Sequence, residues 1–303
     1  MNIFYLDRMH IGTRLTFICI ALVFFSSCKK DPIVVDGNEA PPDATVETVV
    51  KENYVNKLYI SLLGRKATAA EFDAGLVLVN QHNFSKADRR ELIDFIQAKS
   101  EFFDNEFKII CANLLNESDT SEARMWINIY KQGQQSTNDK DAIAWAQMEI
   151  DRLEPFIPLV DELTAGNISF VDVHKTCINN TLYDMVNMGT QNFVTSMYQN
   201  FLFREPTDSA LVNSIRMIDY DPAKYPSPFV FSQEGHSKTD FISIFFSSNE
   251  YYEGQVRAQF KRFLFREPTT EEMSGQSILY KNSKDFKALQ KYILAGDEYA
   301  GLK

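Results

Sequence analysis

Apolar residues recur at three- and four-residue intervals along most of the chain, and strand-like alternation is rare, so helices are expected to dominate. Ile109, Leu114 and Leu115 mark one such face; Trp126, Ile129 and Tyr130 mark another, and Ile143, Met148 and Ile150 a third. Trp126 and Trp145 both lie on stripes of this kind, which makes them core residues in this reading. The periodicity breaks where Gly, Pro and Asn gather, at QGQQSTND (132–139), LEPFIP (153–158) and TAGN (164–167), and the helices are expected to end there. The fold class that follows is all-α, a multi-helix bundle.

Three stretches of the pattern are copies of one another. LLGRKAT (62–68) aligns with FLFREPT (201–207) and with a second FLFREPT (263–269), placing Thr68, Thr207 and Thr269 in register. Upstream, Tyr54, Val55, Leu58, Tyr59, Leu62 and Leu63 fall over Phe193, Val194, Met197, Tyr198, Phe201 and Leu202. The third copy keeps Val256, Phe260, Phe263 and Leu264. Pro206 and Pro268 disfavour helix at the residue before them, so each copy reads as a helix, a corner and a second helix capped by the threonine. Thr68 with Glu71, and Thr269 with Glu272, have the spacing of a capping box, in which hydroxyl and carboxylate each accept a backbone N–H that the helix start leaves unpaired; the middle copy has Ala210 at that place. Phe72, Leu76 and Val79 match Leu211, Ile215 and Ile218 as the core face of the second helix.

Each copy closes on an acidic-aromatic phrase: SEFF (100–103), SNEYY (248–252) and GDEY (296–299). The middle copy is the longest because it carries an insertion, DYDPAKYPSPFVFSQEGHSK (219–238). Arg65, Arg204 and Arg266 occupy one place in the three corners, and Glu101, Glu250 and Glu298 occupy one place in the three closing phrases. A guanidinium can neutralise carbonyls at a helix end and bond a carboxylate with two prongs, so each arginine is expected to pair with the closing glutamate of its own copy, or with the backbone beside it, a solvated arginine being the alternative.

The first 28 residues hold Arg8 and Arg14, an apolar run from Leu15 to Phe25 and then Ser26, Ser27 and Cys28. This is the pattern of an export signal, and its apolar run is well short of the roughly 20 residues that cross a bilayer. Met9 begins a shorter and more typical basic start than Met1. The ending FSSC, followed by Lys29-Lys30-Asp31, resembles the lipobox of Bacteroidota-type bacterial lipoproteins. The resemblance implies cleavage before Cys28 and lipidation of that cysteine with palmitate-like chains, which would anchor the protein to the outer membrane of the cell envelope, with display at the cell surface. Residues 31–50, with a double proline and scattered acids, read as a tether that lifts the folded part off the lipid. The organisation expected is therefore a lipoprotein signal peptide (1–27), a flexible tether (28–50), helical repeat 1 (51–104), a helical middle segment (105–190) and helical repeats 2 and 3 (191–303).

The repeats themselves resemble the helical domain of phycobilisome linker polypeptides and related repeat domains of unknown function in exported bacterial proteins. There, a helix ends in a Leu-Gly-Arg-x-Pro-like corner and the domain closes on a Ser-x-Glu-Tyr-like phrase. LGRKAT and the two LFREPT corners, with SEFF, SNEYY and GDEY, carry the likeness over residues 54–104 and 193–301. It implies an all-helical assembly module, and no pigment chemistry follows from it.

Charge narrows the partners. The net charge is −10, and loss of residues 1–27 would remove Arg8, Arg14 and Asp7 and leave −11. With no basic cluster, nucleic acid is excluded as a partner. Export leaves a disulfide between Cys111 and Cys177 open, but both sit in apolar helical stretches where buried free thiols serve equally well. His82, His174 and His236 stand far apart along the chain, with no HExxH or His/Cys pair at metal spacing, no GxSxG, no phosphate-cradling glycine loop and no dinucleotide fingerprint. No catalytic, cofactor or metal residue is assigned. Tyr220, Tyr225, Phe229 and Phe231 make the insertion aromatic, either a loop for a sugar or protein partner or one folded back on its own helices. The functional expectation is a non-catalytic envelope lipoprotein whose repeats bind or scaffold a protein or polysaccharide; the alternative is an exported hydrolase acting on glycan or peptide.

Overall fold

The computed structural model describes residues 45–302. The signal run, Cys28 and most of the expected tether lie outside the described residues. Among the described residues the first helix begins at Thr48, so the last three residues assigned to the tether are helical.

Among the described residues the fold is all-α apart from one hairpin with two-residue strands. Repeat 1 comprises α1 (Thr48–Leu63), α2 (Ala69–Val79), α3 (Lys86–Gln97) and α4 (Ser100–Leu114). The middle segment follows as α5 (Thr120–Gln135), α6 (Lys140–Leu153), a 3-10 turn (Glu154–Phe156), α7 (Leu159–Thr164), α8 (Phe170–Ile178) and α9 (Thr181–Val186). Repeat 2 is α10 (Thr190–Leu202), α11 (Asp208–Ile218), the hairpin β1 (Phe229–Val230) and β2 (Gln233–Glu234), then α12 (Lys238–Ser247) and α13 (Asn249–Leu264). The chain ends with α14 (Thr270–Ser283), α15 (Phe286–Leu294) and α16 (Asp297–Ala300). The hairpin pairs Phe229 with Glu234 and Val230 with Gln233; its two turn residues, Phe231 and Ser232, both have positive φ, the geometry that matches the twist of paired strands.

The closing phrase of each repeat is not a terminus but the start of another helix. SNEYY opens α13, and the second FLFREPT ends that same helix, so repeats 2 and 3 overlap and share α13. Each corner has one backbone shape. The helix stops on a left-handed residue, Gly64 (φ 70), Phe203 (φ 56) or Phe265 (φ 57), and the threonine four residues on caps the next helix. The hydroxyls of Thr68, Thr207 and Thr269 accept from the N–H of Glu71, Ala210 and Glu272, and the reciprocal carboxylate bond is present in copies 1 and 3. A fourth, eroded corner follows α4: LLNESDT (114–120) matches LLGRKAT letter for letter at both leucines and the threonine, and Asn116 sits at φ 51. With Glu117 in the arginine position, this corner has no guanidinium.

The aligned apolar faces form the core. Tyr54, Val55, Leu58, Tyr59, Leu62 and Leu63 are buried, as are their counterparts Phe193, Val194, Met197, Tyr198, Phe201 and Leu202. Each contributes roughly 1.5–3 kcal/mol of transfer free energy. The last helices close on α1: the Tyr54 hydroxyl donates to Leu294 O at 2.9 Å, Lys57 Nζ donates to Tyr299 O at 3.1 Å, and Ser61 Oγ lies 2.8 Å from the Tyr299 hydroxyl.

The stripes expected in the middle segment hold in part: Tyr130 and Ile150 are buried and Trp126 packs against the core. Ile129 and Met148 are exposed and Trp145 is 54% exposed, its ring edge-on to Tyr130; the buried faces are Ala123, Ile127 and Tyr130 on α5 and Ala146, Ile150 and Leu153 on α6. The reason is that α5 and α6 pack chiefly on each other, which narrows the face each one buries.

Closing helices approach the corners at backbone distance. Asn105 Nδ2 donates to Leu62 O at 3.0 Å, and the equivalent residue of α13, Gly254, lies against Phe201 O so closely that an added Cβ would stand 1.8 Å from it. Gly254→Ala is therefore expected to destabilise the protein by about 3 kcal/mol, at the upper end for overpacking. Denaturant unfolding measures it, and a loss below about 1 kcal/mol would show that the helices separate freely here.

Candidate functional site

All three corner arginines bond the closing glutamate of their own repeat. Arg65 donates from Nε and Nη2 to the two oxygens of Glu101 at 3.0 and 2.7 Å, and from Nη1 and Nη2 to Glu71 at 2.7 and 2.9 Å. Arg266 repeats this with Glu298 at 2.8 and 2.6 Å and with Glu272 at 2.8 and 2.9 Å. Arg204 reaches Glu250 at 2.9 and 2.5 Å but has Ala210 where the others find a second carboxylate. In every copy Nη1 also donates to the next carbonyl, of Lys66, Glu205 or Glu267, and the guanidinium lies 5.0–6.0 Å from an aromatic ring, that of Tyr59, Tyr198 or Phe260. The Arg65 hydrogen bonds hold the Glu71 carboxyl well below the carboxylate range, and Arg266 holds Glu272 down at about 2. With their donors turned to glutamates and backbone carbonyls, these arginines tie each closing helix to its corner.

The insertion keeps most of its aromatics at home. Phe231 stacks on Tyr198 at 6.0 Å, Tyr220 lies against His236 at 4.4 Å, and the Arg216 guanidinium covers Tyr225 at 5.0 Å, which leaves Phe229 as the exposed ring. Cys111 on α4 and Cys177 on α8 are buried free thiols in neighbouring helices; burial pushes the Cys111 thiol up to about 12 and raises Cys177 as well, so neither is reactive. His82 pairs with Asp88 at the start of α3, and His236 with Ser227 within the insertion.

His174 has a different setting. It borders a cleft of about 740 Å³ walled by α4, α8, α10 and α13, within the ~300–1,000 Å³ range of small-ligand sites. Burial pushes its imidazole down to about 4, so it is neutral, and its Nδ1 lies 2.8 Å from the Tyr251 hydroxyl, which burial keeps protonated. Its Nε2 makes no hydrogen bond among the described residues.

Polar side chains rise from the core face of α13 into this cleft. Gln259 accepts from Gln290 at 3.3 Å, and Gln290 also donates to Glu106 at 3.2 Å and accepts from Gln97 at 3.2 Å. Glu106, buried on α4, pairs with Arg262 at 2.8 Å, and Arg262 further donates to Ser61 O at 2.8 Å. Gln255 is 5% exposed, borders the cleft and makes no hydrogen bond among the described residues. Phe203, the left-handed corner residue of repeat 2, stands at the rim, 41% exposed.

The corner residues were marked by the sequence, whereas the cleft was missed. A signal existed: Glu106 interrupts the apolar face of Phe103, Phe107 and Ile110, and Gln255 and Gln259 lie beside Val256 and Phe260 on α13. A polar residue on a core-facing stripe is rarely left without a partner or a purpose.

Compared with protein-family models, with curated proteins and with solved structures, the chain finds no match.

Two outcomes follow from the arginine ties. A double-mutant cycle on Arg65 and Glu71, where the acid is largely buried, should give a coupling of about 2 kcal/mol, and the more exposed Arg204–Glu250 pair under about 1; additivity at both would remove the tie. The second outcome concerns pH. Because Glu71 and Glu272 have folded-state pKa values below their unfolded ones, their stabilisation is complete above about pH 5 and is lost as pH falls toward 2. The loss should be about 2 kcal/mol at Glu272 and should be missing from the acid limb of Glu272→Gln, as followed by urea unfolding at each pH.

Proposed function

We propose that the protein is a non-catalytic lipoprotein of the cell envelope, held to the outer membrane through acylated Cys28 and displayed from it on the tether, and that its helical repeats form a binding or scaffold module for a protein or polysaccharide. The observation that carries the binding role is the cleft: a helical frame tied at three corners surrounds a hollow bordered by neutral polar groups that the protein itself leaves unpaired, Gln255 and the Nε2 of His174. Their free polar atoms face the hollow and can exchange water for the hydrogen-bonding groups of a ligand.

The anchor rests on FSSC and the Lys-Lys-Asp that follows. No helix of the described residues is long and apolar enough to cross a membrane. Acyl chains on one cysteine supply about 0.8 kcal/mol per buried methylene, enough in combination to hold the domain at the bilayer.

Cys28→Ala should abolish acylation, so that intact mass spectrometry shows no diacylglyceryl group and the protein leaves the detergent phase; equal masses and equal partitioning for variant and wild type would end the lipoprotein reading. Affinity capture from solubilised envelopes should then enrich the same protein or polysaccharide with the wild type in repeated preparations. Recovery of nothing above the level seen with an unrelated lipoprotein would count against a binding module.

A further inference from the structure

The neutrality of the cleft points to its occupant. A site for an anionic or cationic ligand needs a charged group with coordination to spare. Inside the cleft the charges are paired with each other, Arg262 with Glu106, whereas Lys261 belongs to the exposed rim, where it pairs with Glu267 at 2.7 Å and its ammonium lies 5.6 Å over the Phe203 ring. His174 carries no charge above its depressed pKa of about 4. What stays free is neutral and two-natured. The Gln255 amide has a donor and an acceptor, the Gln259 amide nitrogen makes no hydrogen bond among the described residues, and the second nitrogen of His174 is likewise open.

Gln255 and Gln259 are four residues apart on α13, so they lie on one face about 6 Å apart along the axis. The contact of Gly254 with the Phe201 carbonyl sets the position of that helix one residue before Gln255. The polar groups are thus placed before any ligand arrives, which lowers the ordering cost of binding. Phe203 adds an apolar ring at the rim.

We infer that this cleft binds a short segment of neutral glycan, with sugar hydroxyls bonded to Gln255, Gln259 and His174 and the apolar C–H face of a sugar ring laid on Phe203. Hydroxyls both donate and accept, which suits unpaired amides, and a pyranose has one face of C–H groups, which suits an aromatic ring beside them. A peptide in extended form would seek a row of backbone partners, and the cleft walls are helices whose backbone groups are bonded internally. The inference rests on the binding-module reading and names its ligand class.

The test uses the full-length chain in detergent micelles, with saturation-transfer NMR and calorimetry against maltohexaose, cellohexaose, laminarihexaose and N-acetylchitohexaose. Hexagalacturonate serves as the charged probe and a neutral Ala/Ser hexapeptide as the peptide probe. At least one neutral hexasaccharide should bind with a Kd of about 1 mM or tighter. Gln255→Leu, which keeps the side-chain volume, should weaken it about tenfold, as loss of one to two hydrogen bonds predicts. Phe203→Gly retains the left-handed corner while removing the ring, so it should weaken binding by a similar factor without lowering the melting temperature. Absence of binding by every neutral hexasaccharide, or equal binding by wild type and both variants, would overturn the inference. Binding of the hexapeptide alone, lost in Gln255→Leu, would overturn the glycan class, and binding of hexagalacturonate alone would overturn the neutral ligand; either would leave the binding module standing. A protein partner captured from envelopes equally well by Gln255→Leu, with no glycan bound, would likewise overturn the glycan site while preserving the scaffold role.

Discussion

Everything in this structure depends on how a helix is stopped and turned. Helix propagation is cooperative and adds a bond per residue, so a sharp, reproducible end needs a residue that leaves helical space and groups that accept the orphaned backbone. Here the stop is a left-handed residue followed by a capping threonine, and an arginine fixes the angle between them by bonding the helix that closes the repeat. Gly64 adopts the left-handed conformation without penalty, whereas Phe203 and Phe265 adopt it at about 1 kcal/mol each. The cost is tolerated where caps, guanidinium and packed rings together over-determine the turn.

Because the closing helix of repeat 2 is also the first helix of repeat 3, one element obeys two sets of constraints. At its start α13 is pressed on the Phe201 carbonyl through Gly254 and held by Arg204 through Glu250; at its end it supplies the third corner. Such a helix has little freedom to rotate, so the residues on its remaining face point in a defined direction. That face carries Gln255 and Gln259, opposite Glu106 of α4, the closing helix of repeat 1. The polar lining of the cleft is thus a consequence of bringing two closing helices together across the molecule.

This separates what could be read from the sequence from what could not. The corners were legible because their determinants are local: the repeated letters, the Thr-x-x-Glu spacing and the paired positions of arginine and glutamate all follow from chain order. The overlap of repeats 2 and 3 was equally present, since SNEYY and the second FLFREPT bound one helix-length of chain, but treating the closing phrase as an end concealed it. The eroded corner at Leu114–Thr120 escaped because it has lost the arginine on which the eye settles. The cleft was illegible for a different reason. Glu106, His174 and Gln255 come from three distant parts of the chain, and only tertiary packing decides that they share one hollow. The exposed Trp145 shows the same limit, since periodicity locates an apolar face but leaves open whether a neighbour covers it.

The three corners are not equally secured, and the least secured is the one at the cleft. Arg65 and Arg266 each hold two carboxylates, while Arg204 holds one, because Ala210 replaces the capping-box glutamate. Local stability follows the number and burial of such contacts, and elements that must adjust to a ligand are drawn from the less stable end of that range. Repeat 2 also contains the long insertion and ends its first helix on Phe203, the rim residue held in a left-handed conformation. A corner with one carboxylate fewer is held by fewer ionic contacts than its neighbours. Of the three corners, the one that carries the rim residue Phe203 is thus tied by a single glutamate, whereas those of repeats 1 and 3 are each tied by two.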